Sequence, residues 1–148
     1  MSIVTSTTTS TPVSAEVYEQ VRCFYSRQMQ LIDSGRVQDW VETFVEDAVI
    51  ANNANPEPAR GREIITRVAH RIVNEARENG VLHRHWLGML TVDRLGPDSL
   101  ATRFYAFVVE TAKGGQPEFY RSTIGRDVLV RHGSGWQVRE RYVTHDGS

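Results

Sequence analysis

The stretch LHRHWLGMLTVDRL, residues 82–95, decides the fold, because the hydrophobic period changes there from that of a helix to that of a strand. In an extended chain its residues His83, His85, Leu87 and Met89 share one face. Three further extended segments follow, SLATRFYAFVVET, EFYRSTIGRDVLVR and WQVRERYVTH, separated by glycine-containing turns. The second half of the chain is therefore predicted to form four long strands joined as a meander.

The first half of the chain has the period of helices. Val17, Val21, Tyr25 and Met29 recur at the spacing of one buried helical stripe, and Gly35 ends it. The predicted elements are a first helix beginning near Pro12–Ser14, a second carrying Val37, Trp40, Val41, Phe44 and Val45 on one face, a strand over Ala48–Ala51, and a third helix over about Arg62–Asn79.

Helices followed by long strands predict an α+β domain, in which three N-terminal helices pack on a strongly curved antiparallel sheet. Gly88 and Gly125 fall in mid-strand, where a bend or bulge is expected. A curved sheet covered by helices is cone-shaped and encloses a pocket at its wide end.

Composition limits the class of protein. The chain has 148 residues, which is one domain: a flexible Ser/Thr-rich tail over residues 1–13 and a single domain over residues 14–148. The net charge of −1 argues against a nucleic-acid partner, and no apolar run has the length of a membrane helix. Cys23 is the single cysteine, so no internal disulfide is possible; we interpret it as a buried apolar residue of a cytoplasmic protein.

Several polar residues are placed where they could do chemistry. Tyr25, Met29 and Asp33 are four apart, so the Asp33 carboxylate lies at the edge of the core on the same helical stripe. Asp127 is expected to pair with Arg141 across a hairpin. The spacings typical of metal, dinucleotide and phosphate sites are missing from the sequence, so neither a metal nor a cofactor is expected.

The motifs together resemble a known family. They are D-x-G-x-x-x-D-W-x-x-x-F-x-x-D-A from Asp33 to Ala48, G-R-E-x-I from Gly61, Arg84-His85 at the start of the first long strand, and G-R-D-V-L-V-R from Gly125 with G-W-Q-V and Arg141. The chain resembles the nuclear-transport-factor-2-like superfamily, and within it the SnoaL-like and scytalone-dehydratase-like branch. The ending is also similar to the small subunits of aromatic-ring dioxygenases.

The resemblance implies a site around His85, with Asp33 orienting the imidazole. Tyr105 or Tyr120 would donate a hydrogen bond to a substrate oxygen, although packing is the alternative role for each tyrosine. The remaining residues expected to contact a substrate are Tyr25, Met29 and Trp40. Two departures from the dehydratase pattern are the absence of a histidine from the second long strand and Ile32 in place of a tyrosine before Asp33.

Two functions remain open at this point. One is a cofactor-free cyclase, isomerase or dehydratase that acts by acid–base chemistry on a small apolar, aromatic or polyketide-like substrate, as in antibiotic biosynthesis. The other is a non-catalytic structural or ligand-binding subunit of an oxygenase or biosynthetic complex. Apolar residues on both faces of the strands, together with the resemblance, predict a homodimer.

Overall fold

A computed structural model describes residues 11–148. Ser14 caps the first helix by accepting a hydrogen bond from the Val17 amide at 3.2 Å. The elements in chain order are α1 (Ala15–Asp33), α2 (Val37–Val41), β1 (Phe44–Asn52), β2 (Ala59–Arg60), α3 (Arg62–Glu78), β3 (Val81–Gly96), β4 (Ser99–Ala112), β5 (Pro117–His132) and β6 (Gly135–His145).

The six strands form one sheet in the order β2-β1-β6-β5-β4-β3. The four long strands β3 to β6 are antiparallel neighbours, as predicted, whereas β1 pairs parallel to β6. The helix α3 contacts β1 and β2 at one edge of the sheet and β3 at the other edge. One helix can contact both edges because the sheet curves strongly around it, so the cone-shaped α+β architecture is confirmed.

The core lies between α1 and the concave face of the sheet. Its largest fully buried side chains include Tyr25, Phe44 and Leu129. Phe104 packs on Tyr25 with ring centroids 4.9 Å apart, and its ring covers the backbone of Gly125. A β-carbon at Gly125 would lie 2.2 Å from that ring, so this glycine permits a close approach and does not mark the predicted bulge.

The expected bulge does occur at Gly88. Between Gly88 and Thr91 the strand β3 has one residue more than β4, and Met89 adopts a φ of +50°. The extra residue reverses the alternation. Met89, predicted to share a face with His85, is 80% exposed, and Leu90, which strict alternation would put on the opposite face, packs against the core.

Three other local predictions differ from the structure. Phe44 and Val45 lie in β1, because α2 ends at Val41 and pairing with β6 starts at Phe44. Cys23 is exposed beside Glu19 and not buried. Of the predicted tail, residues 1–10 lie outside the described residues, whereas Thr11 accepts a hydrogen bond from the Arg94 amide, so pairing with the edge of β3 begins before residue 14.

Candidate active site

A cleft of about 410 Å³ lies between α1 and the edge strand β3; we call it the α1–β3 cleft. It is positioned by the helical stripe of α1 and by the part of β3 on either side of the bulge. Its apolar wall includes Tyr18, Tyr25, Met29, Leu87 and Leu90, and the carboxylate of Asp33 and the imidazole of His85 are among its polar groups. The cleft thus combines an apolar wall with a few polar groups, as ligand sites commonly do.

The two residues predicted as the catalytic pair are in direct contact. The His85 Nδ1 lies 2.5 Å from Asp33 Oδ1, and the His85 backbone amide donates to Asp33 Oδ2 at 3.0 Å. The Asp33 side chain is 9% exposed and that of His85 is 30% exposed. Asp33 therefore binds both the edge-strand backbone and the imidazole, which fixes the orientation of the ring.

This geometry determines which ring nitrogen is available. The Asp33 carboxylate accepts a hydrogen bond from Nδ1–H, so the neutral imidazole carries its proton on Nδ1 and keeps its lone pair on Nε2. In the part of the chain that the structure describes, His85 Nε2 has no hydrogen-bond partner. An oriented imidazole with a free nitrogen at a cleft can act as a general base. Asp33 ends α1, where the helix dipole disfavours a carboxylate, and its two hydrogen bonds offset that cost.

A second cleft of about 270 Å³ lies between the C-terminal part of α3 and the start of β3; we call it the α3–β3 cleft. Asp33 and His85 line both clefts, and His83 lines the second one. The apolar wall of the second cleft includes Ile32, Ile72, Val73 and Ala76. The dyad of Asp33 and His85 is therefore reached from two sides.

Tyr25 lines the α1–β3 cleft, but its hydroxyl belongs to the core. It donates to Asp127 Oδ2 at 2.7 Å and lies 2.6 Å from the hydroxyl of Thr102. Burial and the nearby charge of Asp127 raise the pKa of Tyr25 well above its ordinary value, so the phenol stays neutral. Met29 lines the same cleft from the next turn of α1 and is 9% exposed.

The predicted pair of Asp127 and Arg141 is confirmed and is part of a larger buried network. The guanidinium donates to both Asp127 oxygens, at 2.9 and 2.8 Å, and to Gln28 Oε1 at 2.7 Å. Burial opposes the charge on Arg141, but the attraction of Asp127 outweighs it and raises the pKa of the guanidinium. Gln28 donates onward to Thr43 at 2.7 Å. Within residues 11–148 every buried side-chain nitrogen and oxygen has a partner.

The three other aromatic residues predicted to contact a substrate lie away from the α1–β3 cleft. Trp40 packs on Phe44 with ring centroids 4.7 Å apart. Tyr105 is 41% exposed and lies opposite Gly88 on the outer face of the sheet, away from the helices. Tyr120 stacks on His83 at 4.9 Å between ring centroids.

The sequence analysis missed Glu110, which the structure places against His83. The two residues are register partners on β3 and β4, and the His83 Nε2 lies 2.7 Å from Glu110 Oε2. Regular pairing from the Gly96-Pro97-Asp98 turn would have put Ala112 opposite His83, because two register shifts separate the turn from this pair. Across residues 11–148, no group of three or more His, Cys, Asp and Glu side chains is placed to hold a metal ion. None of the helices formed by these residues is both long and apolar enough to span a membrane.

The fold and the dyad define a class: a cone-shaped α+β domain of the nuclear-transport-factor-2-like kind, with a histidine–aspartate pair at a cleft between its first helix and its sheet. Residues 13–142 match the model of the SnoaL-like domain. The chain belongs to the SnoaL-like family, and the predicted resemblance is confirmed.

Solved structures support the assignment. Aln2 from a Streptomyces species is 30% identical over 91% of this chain and 94% of that chain, with a TM-score of 0.84. ActVI-ORFA from Streptomyces coelicolor is 28% identical over 91% of this chain and 98% of that one, with a TM-score of 0.83. A protein from Catenulispora acidiphila in complex with S-DNPA is 31% identical over 90% and 96% of the two chains, with a TM-score of 0.77. A comparison with curated protein sequences gives no match.

Proposed function

We propose that this protein catalyses cofactor-free proton transfer on a small aromatic or polyketide-like ketone, as a cyclase, isomerase or dehydratase of secondary metabolism. The observation that carries the proposal is the hydrogen bond of 2.5 Å between Asp33 and His85 beside an apolar cleft of about 410 Å³. Membership of the SnoaL-like family supports a role in small-molecule chemistry. The complex of the Catenulispora relative with S-DNPA supports binding of a small organic molecule by this kind of domain.

The proposed first step uses the free nitrogen of His85. A C–H bond next to the substrate carbonyl breaks, its proton goes to His85 Nε2, and its electron pair forms the enolate. Asp33 stays ionised, keeps the ring orientation through Nδ1 and stabilises the imidazolium by its charge. The enolate can then be reprotonated at another carbon, attack a second carbonyl or expel a leaving group. These outcomes correspond to isomerisation, cyclisation and elimination.

The aromatic residues contribute unequally to this proposal. Tyr25 and Met29 would contact the apolar part of the substrate, since both line the cleft that contains the dyad. Trp40 and Tyr105 are not among the residues that line this cleft, and Tyr105 lies on the outer face of the sheet, so Tyr105 would not be the donor to the enolate oxygen.

Proton exchange at carbon tests the proposal without the natural substrate. We expect the protein to accelerate exchange of the α-hydrogens of α-tetralone with D₂O, followed by proton NMR. His85→Gln is expected to lower the enzyme-dependent rate by about 10²–10⁴-fold, which is the usual worth of a general base.

His70→Gln is the matched control, because His70 is an exposed histidine on α3 and lines neither cleft. Exchange no faster than in buffer, or a rate that survives His85→Gln, would contradict the proposal. The non-catalytic subunit would then be the better interpretation.

We also propose that the protein works as a homodimer joined through the outer face of its sheet. Trp86 and Phe119 on this face are 71% and 68% exposed, and Phe119 packs on Phe107 at 5.3 Å between ring centroids. Exposed aromatic residues grouped on a sheet indicate an interface. Phe119→Lys should convert the dimer to a monomer in light scattering at micromolar concentration, whereas Lys113→Glu at the β4–β5 turn should not. A wild-type monomer would contradict this prediction.

A further inference from the structure

The α3–β3 cleft contains a second pair of a histidine and a carboxylate. His83 Nε2 lies 2.7 Å from Glu110 Oε2, and the two residues are directly opposite each other on β3 and β4. Their side chains are 20% and 32% exposed, which is comparable to His85 at 30%. Neither residue takes part in the proton abstraction proposed above.

One further contact holds the ring of His83. Tyr120 from β5 stacks on it at 4.9 Å with an angle of 15° between the rings, and the guanidinium of Arg121 lies 4.8 Å above the centre of Tyr120. Glu110 and Tyr120 therefore fix the imidazole from its edge and from its face. With Nε2 bonded to Glu110, the nitrogen that remains for a ligand is Nδ1.

The two histidines lie on the same side of the same strand. His83 and His85 are two residues apart on β3, before the bulge, so their α-carbons are roughly 7 Å apart. Both line the α3–β3 cleft, together with Asp33 and apolar side chains of α3. Their carboxylate partners come from different elements: Asp33 ends α1, and Glu110 lies on β4. A single small molecule in this cleft would be within reach of two independently oriented imidazoles.

We propose that His83, oriented by Glu110, is a second catalytic residue that donates a proton to the leaving hydroxyl of a β-hydroxy ketone. This inference rests on the proposed function, in which His85 removes the proton next to the carbonyl. It narrows the substrate class to ketones that lose water, and it assigns the reacting end of the substrate to the α3–β3 cleft.

The elimination balances with these two residues alone. His85 Nε2 takes the proton from the carbon next to the carbonyl, and the electrons of that C–H bond form the new C=C bond. The C–O bond breaks, and the oxygen leaves with its electron pair and takes the Nδ1 proton of the His83 imidazolium, so water is released. His85 is then protonated and His83 neutral, and proton exchange with solvent restores both.

A purely structural pair of His83 and Glu110 would have a different consequence. It would only tie β3 to β4, and its loss would affect exchange at carbon and loss of water equally. An acid at His83 is needed for loss of water but not for hydrogen exchange at carbon. The ratio of the two rates therefore separates a catalytic His83 from a structural one.

The test uses two compounds. The first is α-tetralone with a hydroxyl on the ring carbon β to its carbonyl, which we call β-hydroxy-α-tetralone and which aromatises to α-naphthol when it loses water. The second is α-tetralone itself, which exchanges its α-hydrogens but has no leaving group. We expect His83→Gln to lower naphthol formation by about 10²–10⁴-fold while α-tetralone exchange stays within a few-fold of wild type. Glu110→Gln should lower naphthol formation by a smaller factor, and His70→Gln should lower neither rate. Equal losses of both activities in His83→Gln, or none in naphthol formation, would overturn the inference.

A binding measurement separates failure of this inference from failure of the proposed function. α-Naphthol is titrated into the wild-type protein, and the ring signals of the histidines are followed by NMR. We expect the signals of His83 and His85 to shift with the same dissociation constant, while that of His70 does not move. A shift of His85 alone overturns the second acid but leaves the base in place. A shift of neither signal counts against both proposals.

Discussion

The buried pair of Asp127 and Arg141 and the cleft pair of Asp33 and His85 are built from the same kinds of group. Each joins a carboxylate to a nitrogen base, and each connects α1 with the sheet: Arg141 reaches Gln28 of α1, and Asp33 is the last residue of α1. They differ in what remains unbonded. Asp127 accepts from Arg141 and Tyr25, and its side chain is fully buried, whereas His85 keeps one nitrogen free at two clefts.

The difference teaches how to separate structural from reactive polar residues in one domain. Satisfying every polar atom of a buried pair removes the cost of burying it and leaves no site for a ligand. Orienting a ring through one nitrogen and leaving the other free costs little at a partly exposed position, and it supplies a proton acceptor. Substitutions in the buried network should therefore change mainly stability, and substitutions in the dyad should change mainly activity.

The largest expected effect on folding comes from Arg141→Met. It leaves the Asp127 carboxylate buried with 0% of its side chain exposed and without its cationic partner. Removing one member of a buried ion pair costs about 3–5 kcal/mol of the free energy of unfolding, measured by urea denaturation.

Arg22→Met is the control for this substitution, since Arg22 pairs with Glu19 at the surface and both side chains are more than half exposed. A surface ion pair of this kind contributes little to the free energy of unfolding, because water screens its charges. Similar losses in the two variants would erase the distinction between the buried network and an ordinary surface pair.

The dyad should show the reverse pattern, with activity lost and stability kept. Asp33→Asn should lower the exchange rate nearly as much as His85→Gln does, because an amide that accepts from the backbone of His85 turns its NH₂ group toward Nδ1 and so moves the ring proton to Nε2. The free energy of unfolding should fall by about 1 kcal/mol. A rate close to that of the wild type would show that Asp33 does not determine which nitrogen of His85 carries the proton.

The smallest expected effect is on the pH dependence of stability, and it concerns Tyr25. Its pKa is raised in the folded state, so the native protein keeps its proton where the unfolded chain loses it. That stabilisation is complete below the ordinary tyrosine value of 10.0 and is lost as the pH rises from there toward the folded pKa.

Tyr25→Phe should remove this part of the alkaline decline. It should also lower stability at neutral pH by about 1–3 kcal/mol, because Asp127 loses a donor. Urea denaturation of both proteins between neutral pH and about pH 11 measures the two effects. Parallel curves would show that the phenol does not remain neutral in the native core.

The predicted contacts of the site came from helical spacing, from complementary charge and from the resemblance to the family. The four-residue spacing of Tyr25, Met29 and Asp33 placed them on one side of α1, and the structure brings Asp33 to His85. The pairing of Asp127 with Arg141 followed from opposite charges on two adjacent strands, and a register shift between Val128 and Leu129 brings the two residues opposite each other.

The local predictions that failed share one physical cause. At those positions the structure is decided by a break in strand alternation or by pairing with a residue far along the chain. A bulge is one extra residue, so strict alternation put Met89 and Leu90 on the wrong faces. Phe44 has the apolar character of a helix or a strand, and its pairing with Val138, far along the chain, makes it a strand. Nothing local indicated that Tyr105 would face outward, because both faces of β4 are rich in apolar residues.

The bulge of β3 has a consequence for how this domain can diversify. Before it, the concave positions are 83, 85 and 87, which border the clefts; after it they are 90 and 92, and Val92 is buried in the core. The first half of β3 thus directs its odd-numbered residues toward the clefts, and the second half directs its even-numbered residues toward the core. Mutations at the odd positions before the bulge can change the chemistry without disturbing the core. Deleting Met89 would remove only the extra residue, so Leu90 would still face the core opposite Phe104. Descendants of this chain are therefore free to acquire new substrates by substitution at positions 83, 85 and 87, while positions 90 and 92 keep the core packed.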